Sequence, residues 1–289
     1  MISRQHDAEV AVIGLGVIGG SVALRLCERG TAVRGFSTST PDRMEAERAG
    51  ISVASSLDDA VREVGLVLIA VPLGDISRVA GDVIGAAPSR ATLLHAGSLQ
   101  RAEALQALPE VAARLIGTHP LAGSHRSGFA GARVDLFRDA TVLIEERADA
   151  RQREEAELFW SLAGARRIEY ATATVHDDAM AYISHLPQLA SSVLSATIAE
   201  ILERVPNERI PVKPGPGARD ATRLAMSSLE VWHPILERAP AATLDALRTL
   251  EGNVQRLRIA LEERNWPALR ELWTDGQQWR AALERGEST

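Results

Sequence analysis

The sequence predicts an α/β protein, a doubly wound and mostly parallel sheet followed by an all-helical domain. Three observations predict it. Short apolar runs alternate with helical-period segments through the first half of the chain, which is the pattern of βαβ units. A glycine-rich turn joins the first run to the first helix. Beyond about Ala173 the strand signals stop and long helical periodicity takes over.

In chain order, strands are expected at Val10–Ile13, Ala32–Phe36, Leu66–Ala70, Thr92–Leu94, Arg114–Gly117 and Thr141–Ile144. Helices are expected between most of them, at Ile18–Arg29, Pro41–Ala49 and Ile76–Ile84. A charged helix over Asp149–Ala163 and a short strand near Arg167–Glu169 close this part, and we place the domain boundary near Tyr170. The second domain, residues 171–289, reads as helices at Val175–Arg204, Ala218–Arg238, Ala241–Glu263 and Trp266–Arg285. The interruption Val205–Gly217 contains four prolines and two glycines and is therefore a loop.

Composition narrows the function. At 289 residues, 46% hydrophobic and 24% charged, the chain can bury one large or two ordinary cores. A net charge of -6 provides no field for nucleic acid or an anionic membrane. No apolar run approaches spanning length, and the charged start MISRQHDAE is unlike a signal peptide. The single cysteine, Cys27, allows no intrachain disulfide and suits a reducing cytoplasm. The histidines are not joined by cysteines or carboxylates at ligand spacing, so no metal is expected. These features favour a cytoplasmic protein acting on a small molecule.

The turn VAVIGLGVIGGS places Gly14, Gly16 and Gly19 in a G-x-G-x-x-G arrangement between a strand and a helix, which gives the motif its meaning. Gly14 permits the tight turn, Gly16 admits a pyrophosphate close to the backbone, and Gly19 allows the helix to pack on its strand. Residues 1–170 thus read as a Rossmann-type dinucleotide-binding domain. At the end of the second strand, GFSTSTPDR offers Ser37 and Thr38 where an acid would hold a ribose 2′-hydroxyl. Hydroxyls with Arg43 suit a 2′-phosphate and point to NADP. NAD stays open, because serine also serves it and Asp42 lies close by.

Downstream, GTHPLAGSHRSGFAGA (117–132) gathers two histidines, an arginine and four glycines at a strand end. Open α/β sheets bind ligands at such ends, and neutral histidine is a good proton acceptor near neutral pH.

Together GLGVIGGS, HAGSLQ, GTHPLAGSHRSGFAGA, VHDDAMAYISHLPQLAS and GARDATRLAMSSLEVW resemble, in order and rough spacing, the prephenate/arogenate (cyclohexadienyl) dehydrogenases. The resemblance runs from about Val10 to about Trp232. It implies a Rossmann domain with a helical dimerisation domain, hence a homodimer built on the long helices between Ala241 and Arg285. It also implies oxidative decarboxylation of a cyclohexadienyl substrate with hydride transfer to a nicotinamide cofactor, on the route to tyrosine. By resemblance His119 is the catalytic histidine, placed just past a strand terminus, and Ser98 orients it or the substrate hydroxyl. Arg223 binds a substrate carboxylate, a task suited to a guanidinium fork.

His176 is a candidate substrate contact and His185 a structural residue. They are nine positions apart and opposed on an ideal helix, so both face one ligand only if the helix breaks, for which Pro187 is available. The chain departs from the family pattern in four places. His95 and Gln100 stand where an aspartate and a lysine are usual around the serine. Gln188 replaces a histidine that contacts the substrate side chain. His125 and Arg126 replace a Glu/Lys pair and read as rim residues. Because Gln188 cannot become a cation, arogenate is favoured over prephenate. Trp232, His6 and His233 read as structural.

Other readings of the chain meet obstacles or need the departures. The β-hydroxyacid dehydrogenases share the architecture but use a catalytic lysine, whereas the only lysine here, Lys213, lies in the Pro/Gly loop. A ring-amino analogue of prephenate as substrate, or an inactive nicotinamide sensor, would accommodate the departures. No regulatory module is expected after the helical domain, so feedback would act at the active site.

Overall fold

The structure is a computed structural model that describes residues 9–124, 126–204 and 213–286. Eight strands form one sheet in the order β3-β2-β1-β4-β5-β6-β7-β8. They are β1 (Val10–Ile13), β2 (Val33–Phe36), β3 (Ser52–Val53), β4 (Leu66–Ile69), β5 (Thr92–His95), β6 (Leu115–Pro120), β7 (Thr141–Glu145) and β8 (Arg167–Ala171). All neighbours pair in parallel except β6 and β7. The helices between them are α1 (Val17–Glu28), α2 (Thr40–Arg48), α3 (Leu57–Val61), α4 (Ile76–Ala86), α5 (Ala102–Leu105), α6 (Pro109–Arg114) and α7 (Ala150–Ala163).

The central strands are buried along their whole length, as a sheet covered on both faces requires. Alternate residues feed two cores. Val10 and Val12 pack with Val22 and Leu26 of α1 and Trp160 of α7, while Ala11 and Ile13 pack with Ile76, Val79 and Val83 of α4. The chain crosses between faces at β1 and β4, where open α/β sheets form their ligand crevice. Local signals set the helix ends as well. Asp149 and Gln152 close a capping box on α7, and Gly164 ends it in the left-handed region.

Helix α8 (Ala173–Met180) leads into a wide turn over Ala181–His185 and then α9 (Leu186–Arg204). The expected single helix Val175–Arg204 is therefore interrupted before Pro187, not at it. Proline has no N–H for the carbonyl of Ile183 and its ring crowds that carbonyl, so the preceding turn widens. The expected helix Ala218–Arg238 is likewise broken, into α10 (Pro216–Ala221), a tight turn at Arg223–Met226, and α11 (Leu229–Glu237). The strands β3 and the short helices α3, α5 and α6 went unforeseen.

The chain divides into two compact units, the first running to Pro240 and the second beginning at Ala241. The second is a helical hairpin, α12 (Ala241–Glu262) and α13 (Trp266–Arg285). Arg264 turns it with positive φ, and the Asn265 side chain caps α13 by accepting from the Ala268 N–H.

Candidate active site

The turn after β1 has the shape of a phosphate cradle. Gly14 has φ +96°, and a Cβ there would lie 2.4 Å from the Ala70 carbonyl oxygen; one at Gly19 would lie 1.8 Å from the Gly14 carbonyl oxygen. Neither position admits a side chain. A Cβ on Gly16 would instead meet open space, at an N-cap with no side-chain capping bond and no acid in the first turn of α1. The open backbone amides and the dipole of α1 thus face outward, as a dinucleotide pyrophosphate requires.

At the end of β2, Arg43 folds back over the loop, donating to the Ser37 carbonyl (2.7 Å) and to Thr40 Oγ1 (3.0 Å). Ser37 is buried, and its hydroxyl accepts from the Ser39 N–H (3.2 Å), so it shapes the loop. Thr38 is exposed. Asp42 is turned away from this edge: its Oδ1 accepts the Phe129 N–H at 2.8 Å. That bond commits the carboxylate to the segment following β6.

His119 is the fifth residue of β6, within the strand and not past its end as expected from the sequence. The pairing partner β5 stops at His95 opposite Gly117, so residues 118–120 pair only with β7. The antiparallel return of β7 carries the strand beyond its parallel neighbour and leaves His119 at the crevice.

His119 Nδ1 lies 2.9 Å from His176 Nε2, and His176 Nδ1 lies 2.8 Å from Asp177 Oδ1. The carboxylate can only accept, so His176 carries its proton on Nδ1 and accepts at Nε2. His119 must then donate from Nδ1, which leaves Nε2 as its acceptor. Burial first, then the neighbouring His176, His95 and His185, push the His119 pKa down to about 3. The ring is therefore neutral, in the tautomer a proton acceptor needs.

His176 was expected at the substrate. Both its nitrogens are engaged by protein groups and it is 1% exposed, so it stands behind His119. Asp177 escaped the sequence reading, although it follows His176 directly.

Ser98 is half-buried in the loop after β5, on the strand end next to that of His119. Its neighbours explain the departures from the family pattern. His95 is buried, accepts the Gly97 N–H at Nδ1 (3.2 Å), and is held neutral by burial with a pKa of about 3. Gln100 lies over Gly117 and donates to the Leu143 carbonyl (3.2 Å), while its Oε1 has no partner among the described residues. Two neutral side chains thus replace one charge of each sign.

The depressed His95 pKa carries a stability prediction. An unfolded histidine titrates near 6.5. As pH falls below that value, the unfolded state takes up a proton that the folded state refuses down to about 3. Stability present above pH 6.5 is therefore lost on acidification, by about 1.4 kcal/mol per pH unit for this residue. In urea unfolding between pH 6 and 4, His95→Gln is expected to flatten the pH slope by about one proton; an unchanged slope overturns the assignment.

Gln188 is buried and donates to the Leu224 carbonyl (2.9 Å), and Ser191 donates to the Ala221 carbonyl (3.0 Å). These bonds tie α9 to the turn carrying Arg223. Arg223 is exposed, and neither it nor Arg219 or Asp220 forms an ion pair among the described residues. His185 is buried edge-on against Trp232, with ring centroids 6.0 Å apart, and Trp232 packs on the α4-side core. Arg126, Lys213 and His233 are exposed; His6 and His125 lie outside the described residues. No cluster of metal-binding side chains occurs among the described residues.

A glycine cradle for a dinucleotide after β1, with a neutral histidine on β6 of the same sheet, defines a nicotinamide-dependent dehydrogenase. Comparison with known proteins specifies the family. "Prephenate dehydrogenase, nucleotide-binding domain" matches residues 22–169, and "Prephenate dehydrogenase, dimerization domain" matches residues 172–274. The chain belongs to the prephenate dehydrogenase family. It is 30% identical to the cyclohexadienyl dehydrogenase of Zymomonas mobilis, over 95% of this chain and 96% of that protein. The arogenate dehydrogenase of Synechocystis superposes with a TM-score of 0.78 at 25% identity, covering 95% of this chain and 99% of that one. The prephenate dehydrogenase of Aquifex aeolicus, solved with hydroxyphenyl propionate and NAD+, shares the fold with a TM-score of 0.83 at 22% identity, covering 97% and 100%.

Proposed function

We propose that this chain catalyses the NAD(P)-linked oxidative decarboxylation of a cyclohexadienyl substrate in tyrosine biosynthesis, with arogenate preferred to prephenate and NADP to NAD. The observation that carries the reading is the His119–His176 bond, because it leaves Nε2 of a neutral histidine as the acceptor at the crevice. The substrate has a hydroxyl on C4 of a non-aromatic ring and a carboxylate on C1. A bound nicotinamide supplies the hydride acceptor. His119 Nε2 takes the hydroxyl proton as hydride leaves C4, Ser98 orients the hydroxyl, and Arg223 holds a carboxylate. Loss of CO2 from C1 makes the ring aromatic, and the oxygen recovers its proton from His119.

Three finer points rest on individual contacts. The amide nitrogen of Gln188 donates both its N–H groups within the protein, to the Leu224 carbonyl (2.9 Å) and to Ser192 Oγ (3.4 Å), so the remaining capacity of that side chain is as an acceptor, which suits the ammonium of arogenate better than a keto group. Arg43 and Thr38 at the end of β2, with Asp42 held by Phe129, favour a 2′-phosphate. His176, expected as a substrate contact, acts as a support for His119, while Gln188 supports the Arg223 turn through its amide nitrogen and keeps its amide oxygen for the substrate.

We place the boundary between the nucleotide-binding and helical domains near Tyr170, in the gap between the two matched segments. The second is described as a dimerization domain. Exposed apolar residues such as Val193 and Ile201 on α9 and Trp273 and Trp279 on α13 support a homodimer, which a monomeric mass by light scattering would overturn. No helix among the described residues is long and apolar enough to cross a membrane. With the lone cysteine, this agrees with a place in the cytoplasm.

The test is incubation with prephenate or L-arogenate and either NAD+ or NADP+, following reduced nicotinamide by absorbance. The expected result is fastest turnover of arogenate with NADP+, and a rise in the NADP+ KM of roughly 10- to 100-fold in Arg43→Ala with little change for NAD+, the worth of one or two charge-assisted bonds. Dinucleotide binding without turnover in any pair would sink the tyrosine-pathway reading, leaving a ring-amino analogue or a sensing role.

A further inference from the structure

We propose that Asp177 is the positioning residue that indexes both halves of the catalytic site, the histidine base and the serine loop, to a single buried carboxylate. The proposal rests on His119 being the base. Asp177 begins no loop and faces no crevice; it is 1% exposed on α8. Its oxygens nevertheless reach two separate parts of the site. Oδ1 accepts from His176 Nδ1 (2.8 Å) and from the Gln100 N–H (2.8 Å), and Oδ2 accepts the Arg101 N–H (3.0 Å). Gln100 and Arg101 lie two and three residues after Ser98, where the loop enters α5. Arg101 adds a clasp from its side chain, donating to the Thr174 carbonyl and to Asp178.

The polarity of the chain of bonds gives Asp177 its chemical part. A carboxylate has no proton to donate, so it dictates Nδ1–H on His176, hence Nδ1–H on His119, hence a free lone pair on His119 Nε2. When Nε2 takes the hydroxyl proton, the positive charge on His119 faces the acceptor nitrogen of His176, whose ring the Asp177 carboxylate holds in place. When the ring oxygen recovers that proton, the chain returns to its starting polarity and no proton leaves the site. An amide at position 177 breaks the logic. If its NH2 faces His176, every donor and acceptor in the chain reverses and His119 presents Nε2–H to the substrate. If its NH2 faces Arg101, it confronts an N–H and the Ser98 loop loses its anchor.

The test compares Asp177→Asn and His176→Gln with the wild type, each first checked for a cooperative thermal transition and for dinucleotide affinity by fluorescence. The expected result is a kcat roughly 100-fold lower in both, with KM and dinucleotide affinity within about threefold of wild type, as loss of correct base orientation predicts. Nitrogen-15 spectra of labelled histidines, read without substrate, are expected to show His119 protonated on Nδ1 in the wild type, with that signature lost in Asp177→Asn. In a double-mutant cycle, Asp177→Asn is expected to cost little further in an enzyme already carrying His119→Asn. Full additivity, or an unchanged His119 tautomer and kcat in a folded Asp177→Asn, overturns the proposal. A fully active His119→Asn would instead overturn the reading of the base itself, so the two failures are distinct.

Discussion

His119→Asn is expected to lower kcat by about three orders of magnitude while leaving dinucleotide affinity unchanged. Positioned general-base catalysis contributes on the order of 100- to 10,000-fold, and about three orders of magnitude is the middle of that range. Asparagine preserves a donor toward His176 Nε2, so the buried His176–Asp177 pair keeps its partner and the fold is retained. The pH dependence follows from the depressed pKa of about 3. Only the neutral ring can accept the proton, and it is already neutral throughout the physiological range. The kcat/KM profile of the free enzyme is therefore expected to show no acid limb from His119 above about pH 4. Steady-state kinetics across pH 5–9 checks both statements, and a limb near pH 6.5 that vanishes in the variant would place the ring in a more solvated setting than its neighbours imply.

Arg223→Ala is expected to act on binding instead. Removing a guanidinium that pairs with a carboxylate costs roughly 1.5–3 kcal/mol for each charge-assisted bond, so kcat/KM falls by about 100-fold or more, chiefly through KM. Arg223→Lys recovers only part of the loss, since an ammonium lacks the planar fork. The turn is held from behind by Gln188 and Ser191, so the variant loses a charge without losing its scaffold. Substrate titrations at saturating dinucleotide provide the check. An unchanged KM would assign the carboxylate to another cation, the exposed Arg126 being the next candidate.

Much of this architecture was legible because its signals are local. Continuous apolar runs such as Val10–Ile13 mark strands buried on both faces, and the glycines at 14, 16 and 19 mark a turn where a Cβ would collide or where a phosphate needs room. Capping residues such as Asp149 and Gly164 set helix ends within a few residues of their own position. The missed elements had weak local signals. The strand β3 is two residues long, and the turn at Arg223–Met226 is made of good helix formers. Its departure from a helix follows from side chains 30 and 36 residues earlier that claim the Ala221 and Leu224 carbonyls.

The chemistry-bearing residues divide along the same line. The glycine spacing between a strand and a helix was enough to mark the dinucleotide turn, and the resemblance of short motifs to a known family was enough to mark Ser98, His119 and Arg223 as candidates. Order along the chain could not assign their roles. His119 and His176 are 57 residues apart and Asp177 and Gln100 are 77 apart, yet each pair is within hydrogen-bond distance. Which nitrogen of a histidine is free, whether Asp42 reaches a ribose or a backbone amide, and whether Gln188 faces substrate or a neighbouring turn depend on partners brought together by packing. A side chain's chemistry comes from its residue type, but its protonation and its remaining donors and acceptors come from what the folded chain has already placed against it.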